Sequence, residues 1–344
     1  MSRTLSLPAE KQRRTREAGI LTLLALLIVV MFIVSMNTGI IRLSPMEVLH
    51  TLLGEGTQQQ KLILFDFRLP RIVISLLIGA GFAVSGCILQ SLSRNALAEP
   101  STLGINAGAG FAVIIYISFV PATSAGSIFS LPLFALLGAA LTAALIYILA
   151  YRREDGLSPT RLILIGIAVG AGIYAFQLIL SLRLDPQNFQ FVSIWLAGKI
   201  WGGDWRFVLA LLPWVVILIP FAFYKSRVLN VLNLGDQTSA GLGVPVERQR
   251  LLLLAAAVAL SGACVAVSGG IGFVGLIAPH LARRLVGPKH QVLLPACALA
   301  GALLVLTADT IGRWIMQPSE IPTGIVVALI GAPYFLYLLA KSKA

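Results

Sequence analysis

Apolar segments long enough to cross a lipid bilayer recur along the whole chain, and they constrain its fold more than any other feature. The hydrocarbon core of a bilayer is about 30 Å thick, and a helix that spans it needs about 20 mostly apolar residues. Because lipid offers no hydrogen bonds to the backbone, each segment is predicted to be helical. The segments are residues 20–36, 72–89, 104–119, 128–150, 162–180, 207–224, 251–267, 273–285, 292–308 and 325–340. The chain is therefore predicted to be an all-α polytopic membrane protein with about ten transmembrane helices.

The composition agrees with a single membrane domain. Hydrophobic residues make up 58% of the 344 residues and charged residues only 12%, whereas soluble domains average about 25% charged residues. No stretch between the apolar segments is long enough to form a core of its own. We predict a basic cytoplasmic N-terminus at residues 1–19 and one ten-helix domain at residues 20–344. The first apolar run is long for a signal peptide and lacks a clear small-x-small cleavage site, so it is predicted to be a retained helix.

The distribution of the cations predicts the topology. The net charge is +12. If the N-terminus is cytoplasmic and the ten segments alternate, eighteen of the 26 Lys and Arg residues lie inside and eight outside, while the acidic residues divide equally. An excess of cations alone is the positive-inside pattern. Both termini are therefore predicted to be cytoplasmic, and the positive charge needs no nucleic-acid partner.

Motifs for covalent chemistry or for nucleotide binding are not found in the sequence. The run Gly269-Gly270-Ile271-Gly272 lacks the Gly-Lys-Ser/Thr ending of a phosphate-binding loop. The three cysteines lie inside apolar segments, and the three histidines have no ligand spacing, so no metal site is predicted. An ion-coupled transporter would need carboxylates at mid-membrane, whereas Asp309 and Glu320 are predicted at the outer mouth. Such a transporter and a membrane-embedded enzyme stay as alternatives, but a transporter of this composition is expected to take its energy from another subunit.

Two loops carry more structure than a connection requires. The cytoplasmic loop at residues 225–250 contains two short amphipathic pieces, which Gly235 separates and which end at Gly243 and Pro245. These pieces are predicted to be coupling helices that insert into a cytoplasmic motor, or else a loop that packs against its own membrane domain. The outer loop at residues 187–206 contains Trp195, Trp201 and Trp205. It is predicted to be an aromatic interface anchor or a short helix near a pathway exit.

Several ordered stretches resemble the permease subunits of ATP-binding-cassette importers for iron–siderophore complexes, haem and cobalamin. Together they extend over nearly all the chain after the first helix. They are Arg68-Leu69-Pro70-Arg71 followed by residues 79–90, 94–100 and 103–104, residues 266–280 with 282–283, residues 293–295 with Ala308, Asp309 and Arg313, and residues 320–324 with 331–333.

The resemblance implies a set of partners. Two permease chains, identical or different, would enclose a pathway in a bacterial plasma membrane and contact its lipid. A cytoplasmic ATP-binding subunit would bind ATP and Mg²⁺, so no cofactor is expected in this chain. A substrate-binding protein would deliver ferric siderophore from outside, with cobalamin or haem as the near alternative.

The resemblance also implies roles for particular residues. Arg68, Arg71 and Arg313 would face outward and pair with acidic residues of the binding protein. Ser158, Pro159 and Thr160 would lie at the cytoplasmic gate, and the region near Trp195 beside the outer mouth. The loop that docks on the ATPase would include Leu232, Leu234, Gly235, Asp236, Ala240, Gly241 and Gly243.

One position departs from the family pattern. Ala96 stands where the family usually has proline, so φ of this residue is not fixed by a ring. The turn after Asn95 is therefore predicted to be looser than in the family.

Overall fold

The computed structural model describes residues 7–39, 44–119, 127–153, 156–200 and 204–341. Within these ranges the chain forms fifteen α-helices, one π-helical segment and one short β-hairpin. The elements are α1 (Leu7–Asn37), α2 (Pro45–Leu52), α3 (Gln58–Lys61), the π-helical segment (Leu62–Arg68), α4 (Leu69–Ser93), α5 (Ile105–Phe119), α6 (Ser127–Ala150), β1 (Tyr151–Arg152), β2 (Gly156–Leu157), α7 (Pro159–Ser181), α8 (Pro186–Leu196), α9 (Trp205–Tyr224), α10 (Ser226–Leu232), α11 (Asp236–Gly241), α12 (Val246–Ser268), α13 (Val274–Val286), α14 (His290–Ile315) and α15 (Thr323–Lys341).

Each of the ten predicted segments coincides with a helix, which confirms the all-α polytopic fold. Seven helical stretches in the described ranges are long and apolar enough to cross a bilayer, and α5 and the apolar part of α15 are shorter. The remaining segment, α13, has only 13 residues. The number of crossings and the side of each terminus stay predictions.

The second span begins earlier than the sequence pattern suggests. The π-helical segment joins α3 to α4, so one apolar helical stretch runs over Gln58–Ser93. Ile63 and Leu64 are buried in it, although Asp66 interrupts their apolar run. The pair of arginines, Arg68 and Arg71, therefore lies within a continuous helix and not at the mouth of one.

Helix α4 forms the centre of the bundle and packs against α12, α13 and α14. Two contacts between glycines bring the backbones together. A Cβ atom on Gly79 would collide with the backbone of Gly301, and one on Gly86 with the backbone of Gly275. Close approach of this kind is how helices gain packing energy where lipid removes the hydrophobic drive. These glycines therefore pack helices within one chain.

Helices α5 and α13 begin inside the bundle. Gly104, just before α5, lies against Gly166 and Gly170 of α7, and Gly275, at the start of α13, lies against Gly86 of α4. The non-helical backbone at residues 98–104 and 269–273 therefore enters the bundle. Such backbone is tolerated at membrane depth where protein surrounds it.

Long-range polar contacts divide the helix ends into two groups. Asp309 and Glu320 bond Arg71 at one end, while Asp236 bonds Arg94 and Arg250 at the other. The first group contains only residues predicted outside and the second only residues predicted inside. The contacts agree with the alternation of segments that the cations indicate.

Candidate functional site

Three arginines converge at the predicted outer end around one buried carboxylate. Asp309 of α14 is 1% exposed. It accepts hydrogen bonds from Arg71 Nε and Nη2 at 3.1 and 3.0 Å, from Arg313 Nε at 3.0 Å and from Thr323 Oγ1 at 3.1 Å. Glu320, in the loop before α15, accepts from Arg71 Nη1 at 2.9 Å. A carboxylate held between two guanidinium groups is fully compensated in charge, which burial of this depth requires.

Two of these arginines also bond residues at the end of α1. Arg313 donates to Ser35 Oγ at 2.6 Å and to the Thr38 carbonyl at 3.2 Å, and Arg68 donates to the Met36 carbonyl. All three arginines line one cavity of about 330 Å³. The cluster therefore holds α1, α4, α14 and α15 together.

The exposure of these arginines bears on their predicted role. Arg68 and Arg313 are each only 7% exposed, and the Arg71 side chain is 16% exposed. The three arginines lie together at one end of the bundle, which the sequence alone did not establish. Much of their donor capacity is used inside the chain, which leaves a narrow, cavity-lining surface for an acidic partner.

The predicted coupling pieces are two helices, α10 and α11, at the other end of the bundle. Gly235 separates them at φ +110° and Gly243 follows α11 at φ +79°, conformations that side chains rarely adopt. Ser239 of α11 donates to the Val231 carbonyl of α10 at 2.8 Å and so fixes the angle between them. The positions of these glycines in the sequence correctly predicted two separate helices.

Helices α10 and α11 present apolar surface to the solvent. Leu232 is buried beneath them, whereas Leu234 and Leu242 are 61% and 62% exposed. Ala240, Gly241 and Gly243 are also exposed. An exposed apolar patch on a loop of this kind is typical of a contact with another protein.

Asp236, the first residue of α11, connects this pair of short helices to two other elements. Its Oδ1 accepts from Arg250 of α12 at 2.7 Å and from Arg94, which follows α4. Arg94 also donates to the Leu232 carbonyl at 3.2 Å. Burial alone would raise the pKa of Asp236, but the hydrogen bonds and charges of Arg250 and Arg94 hold it below its usual value.

The predicted gate turn belongs to the same network. Arg250 donates to the Leu157 carbonyl at 2.6 Å, immediately before Ser158, Pro159 and Thr160. Ser158 is the N-cap residue of α7 and Pro159 begins that helix. Sequence reasoning did not identify Arg94 or Arg250 as functional, because the contacts join residues that are far apart in the chain. The sequence signals were a charged residue beside an apolar span at both positions and, for Arg94, its place in a stretch that resembles the permease family.

Comparison with known proteins shows the family of this chain. Residues 26–341 match the model of the FecCD transport family. The chain belongs to the FecCD transport family. It is the transmembrane permease subunit of an ATP-binding-cassette importer and an integral membrane protein.

Relatives and a solved structure support the same assignment along the full length. The permease is 50% identical over 337 residues to the iron(3+)-hydroxamate import system permease protein FhuG of Bacillus subtilis, with 97% of this chain and 100% of that protein covered. It is 42% identical to the iron-uptake system permease protein FeuC of the same organism, with coverage of 93% and 96%. A solved metal-chelate type ABC transporter in an inward-facing conformation matches with a TM-score of 0.81 and 33% identity, with coverage of 94% and 99%.

One further residue of the permease lies deep in the bundle. Glu99, between α4 and α5, is 5% exposed, accepts from Ser101 Oγ and faces Gly272 across the bundle. Sequence reasoning treated Glu99 only as part of a motif. The turn before it is held by Asn95, whose Oδ1 accepts from Leu97 N at 2.9 Å. This bond restrains the turn that Ala96 leaves without proline.

The tryptophan-rich loop of the permease forms a short helix, α8, as one of the two predictions proposed. Trp195 is only 1% exposed, and Gly269 lies against its backbone carbonyl. An interface anchor would be half exposed, so that interpretation is wrong for Trp195. Trp201 lies outside the described residues. Trp205 donates from Nε1 to the Phe65 carbonyl at 2.8 Å.

Proposed function

We propose that the permease imports ferric siderophores, with hydroxamate complexes as the first candidates. The observation that carries this proposal is the 50% identity to an iron(3+)-hydroxamate import permease over 97% of the chain. Cobalamin or haem is the alternative substrate within the family. An ion-coupled mechanism is disfavoured by Asp309, whose charge two arginines compensate.

Uptake by cells separates these substrates. A bacterial strain without its own ferric-siderophore permeases would express this permease together with its partner subunits. Radioiron presented as a hydroxamate, a catecholate or a citrate complex should enter at different rates, with the hydroxamate fastest. Equal failure of all iron complexes combined with uptake of haem or cobalamin would reject the substrate assignment.

A cytoplasmic ATPase is proposed to dock on α10 and α11. The exposed side chains of Leu234 and Leu242 supply apolar contact area, and burial of a leucine contributes roughly 1.5–3 kcal/mol. ATP and Mg²⁺ would bind in that partner. Leu234→Glu should abolish co-purification of the ATPase, whereas Leu53→Glu, at a leucine 71% exposed at the other end of the bundle, should not.

Asp236 is proposed to transmit ATPase motion to the pathway. A rotation of α11 moves the carboxylate that both Arg94 and Arg250 bond. Arg94 leads into the non-helical segment at residues 95–104, which is largely buried from Ala98 onward, and Arg250 bonds the turn before the gate residues Ser158–Thr160. Asp236 therefore links the proposed ATPase contact to both elements.

The outer end is proposed to receive the substrate-binding protein. Arg68, Arg71 and Arg313 line one cavity, and guanidinium groups suit bidentate contacts with carboxylates. Because much of each arginine is covered, the charges would mainly steer the approach. The on-rate for docking should then fall with ionic strength. A rate that is independent of salt, or one unchanged in Arg71→Gln, would reject this role.

A second permease chain completes the proposed pathway. By its resemblance to the family, the permease could pair with a second copy of itself or with a different permease chain. Mass measurement of the complex purified with a tag on this chain alone distinguishes a homodimer from a heterodimer.

A further inference from the structure

A basic surface at the predicted cytoplasmic end has no role in the pathway described above. Two neighbouring cavities of about 610 and 270 Å³ lie between the start of α1, helix α10 and the turn that joins α13 to α14. Their lining residues include five cations and, among the described residues, one carboxylate, Glu17. We call these two cavities the basic pocket. Its cations are Arg13, Arg14, Arg16, Arg284 and Lys289.

The carboxylate neutralises little of this charge. Glu17 accepts from Arg13 Nε at 2.8 Å. Arg16 reaches the Leu285 carbonyl at 3.5 Å, and a Cβ on Gly287 would lie 3.5 Å from Arg13 Nη2. The guanidinium groups of α1 therefore lie directly over the α13–α14 turn. Like charges gathered in this way repel one another unless an anion lies between them.

The wall of the basic pocket is firmly built. Asn230 of α10 accepts from His290 N at 3.0 Å, bonds His290 Nδ1 at 2.8 Å and donates to Gln291 Oε1 at 2.8 Å. His290 is 1% exposed and bonds Ser91 of α4. This wall of the pocket is thus fixed to α4, at the centre of the bundle, and to α10.

The position of the pocket favours lipid over protein as its occupant. The apolar part of α1 begins at Ile20, and at 1.5 Å per residue Arg16 lies roughly 6 Å beyond it, which is headgroup level. Only 17% of the residues in the apolar part of α1 are buried in the bundle. Leu23, Leu26 and Val29 are each 57% exposed on it. Acyl chains can therefore lie along α1 while a headgroup fills the cavity. Basic pockets between helices on the cytoplasmic side bind anionic headgroups in this way.

We propose that the basic pocket binds the phosphodiester headgroup of an anionic phospholipid of the cytoplasmic leaflet. The bound lipid bridges α1 to the α13–α14 turn and contacts Asn230, which lines the same cavity. It thereby stabilises the attachment of the coupling helix α10. The site is independent of the substrate that the permease carries.

Native mass spectrometry of the full-length permease, with the partner chains that it retains, tests this proposal. Phosphatidylglycerol and phosphatidylcholine are titrated separately, and phosphatidylglycerol should bind more tightly. Arg13→Gln with Lys289→Gln should weaken phosphatidylglycerol binding by roughly 25-fold, from about fivefold per cation near the bilayer surface. The charge-preserving pair Arg13→Lys with Lys289→Arg should keep it.

The matched control removes two cations at the same end but outside the pocket. Arg152→Gln with Arg153→Gln changes the net charge equally and should leave lipid affinity within about twofold. Equal binding of both lipids, or equal loss in both double variants, would overturn the proposal. Displacement of the lipid by excess inorganic phosphate would show a free-anion site instead. A pocket variant that keeps lipid affinity but loses the ATPase would assign the basic surface to that protein and reject the lipid.

Discussion

Replacement of Asp309 by Asn should destabilise the permease more than any other single change of charge at the outer end. Asp309 is 1% exposed and accepts from Arg71, Arg313 and Thr323. Asn keeps the shape but removes the charge between two arginines. Breaking a buried pair by removal of one partner costs about 3–5 kcal/mol. We expect a loss of this size in the free energy of unfolding.

Glu320→Gln is the matched control for this change. Glu320 also pairs with Arg71, but its side chain is 31% exposed and bonds no second cation in the described structure. Exposed ion pairs contribute about 0–1 kcal/mol, so a loss of no more than about 1 kcal/mol is expected.

Unfolding by sodium dodecyl sulfate in mixed micelles measures both free energies on the purified protein. A double-mutant cycle that combines Asp309→Asn with Arg313→Gln should give a coupling energy of at least about 1 kcal/mol, because the two side chains share hydrogen bonds. A loss for Asp309→Asn no larger than that for Glu320→Gln, with no coupling to Arg313, would refute the view that this cluster holds the outer end together.

Three other predictions concern coupling, pH and packing. Asp236→Asn should lower substrate uptake by at least roughly fivefold while ATP hydrolysis by the complex continues, and Arg153→Gln should change neither. The pKa of Asp236 is lowered in the folded protein. Its ion pairs are therefore fully present above the unfolded pKa of about 3.9 and are lost only as pH falls through the folded pKa. A titration of uptake between about pH 5 and 8 should show no loss from this group. Gly86→Leu should prevent assembly of a folded permease, as judged by size-exclusion chromatography, because its side chain would meet the backbone of Gly275, whereas Gly172→Leu, where no atom lies within 4 Å, should fold.

The pair of short helices α10 and α11 was accessible from the sequence, whereas the convergence of the three outer arginines was not. Gly235 and Gly243 mark positions where the chain needs positive φ, and the apolar residues before Gly235 predict an amphipathic helix. The position of each apolar segment was also predictable, since lipid leaves a spanning backbone few alternatives to a helix.

The connections between distant segments were not accessible in the same way. Arg94 and Arg250 meet Asp236 only because α4 and α12 end beside α11, and no local pattern encodes that meeting. Trp195 was misjudged as a possible anchor for the same reason, because its burial depends on the glycines that follow α12. The early start of the second span was missed because Asp66 interrupts an apolar run that the π-helical segment continues.

Transport into proteoliposomes that contain the complete complex tests the central claim most directly. We predict that radioiron supplied as a ferric hydroxamate, with its binding protein, crosses only when ATP is present on the ATPase side. The same vesicles with Asp236→Asn should hydrolyse ATP but accumulate at least roughly fivefold less iron. Accumulation driven by an ion gradient without ATP, or equal uptake by the Asp236→Asn complex, would contradict the account.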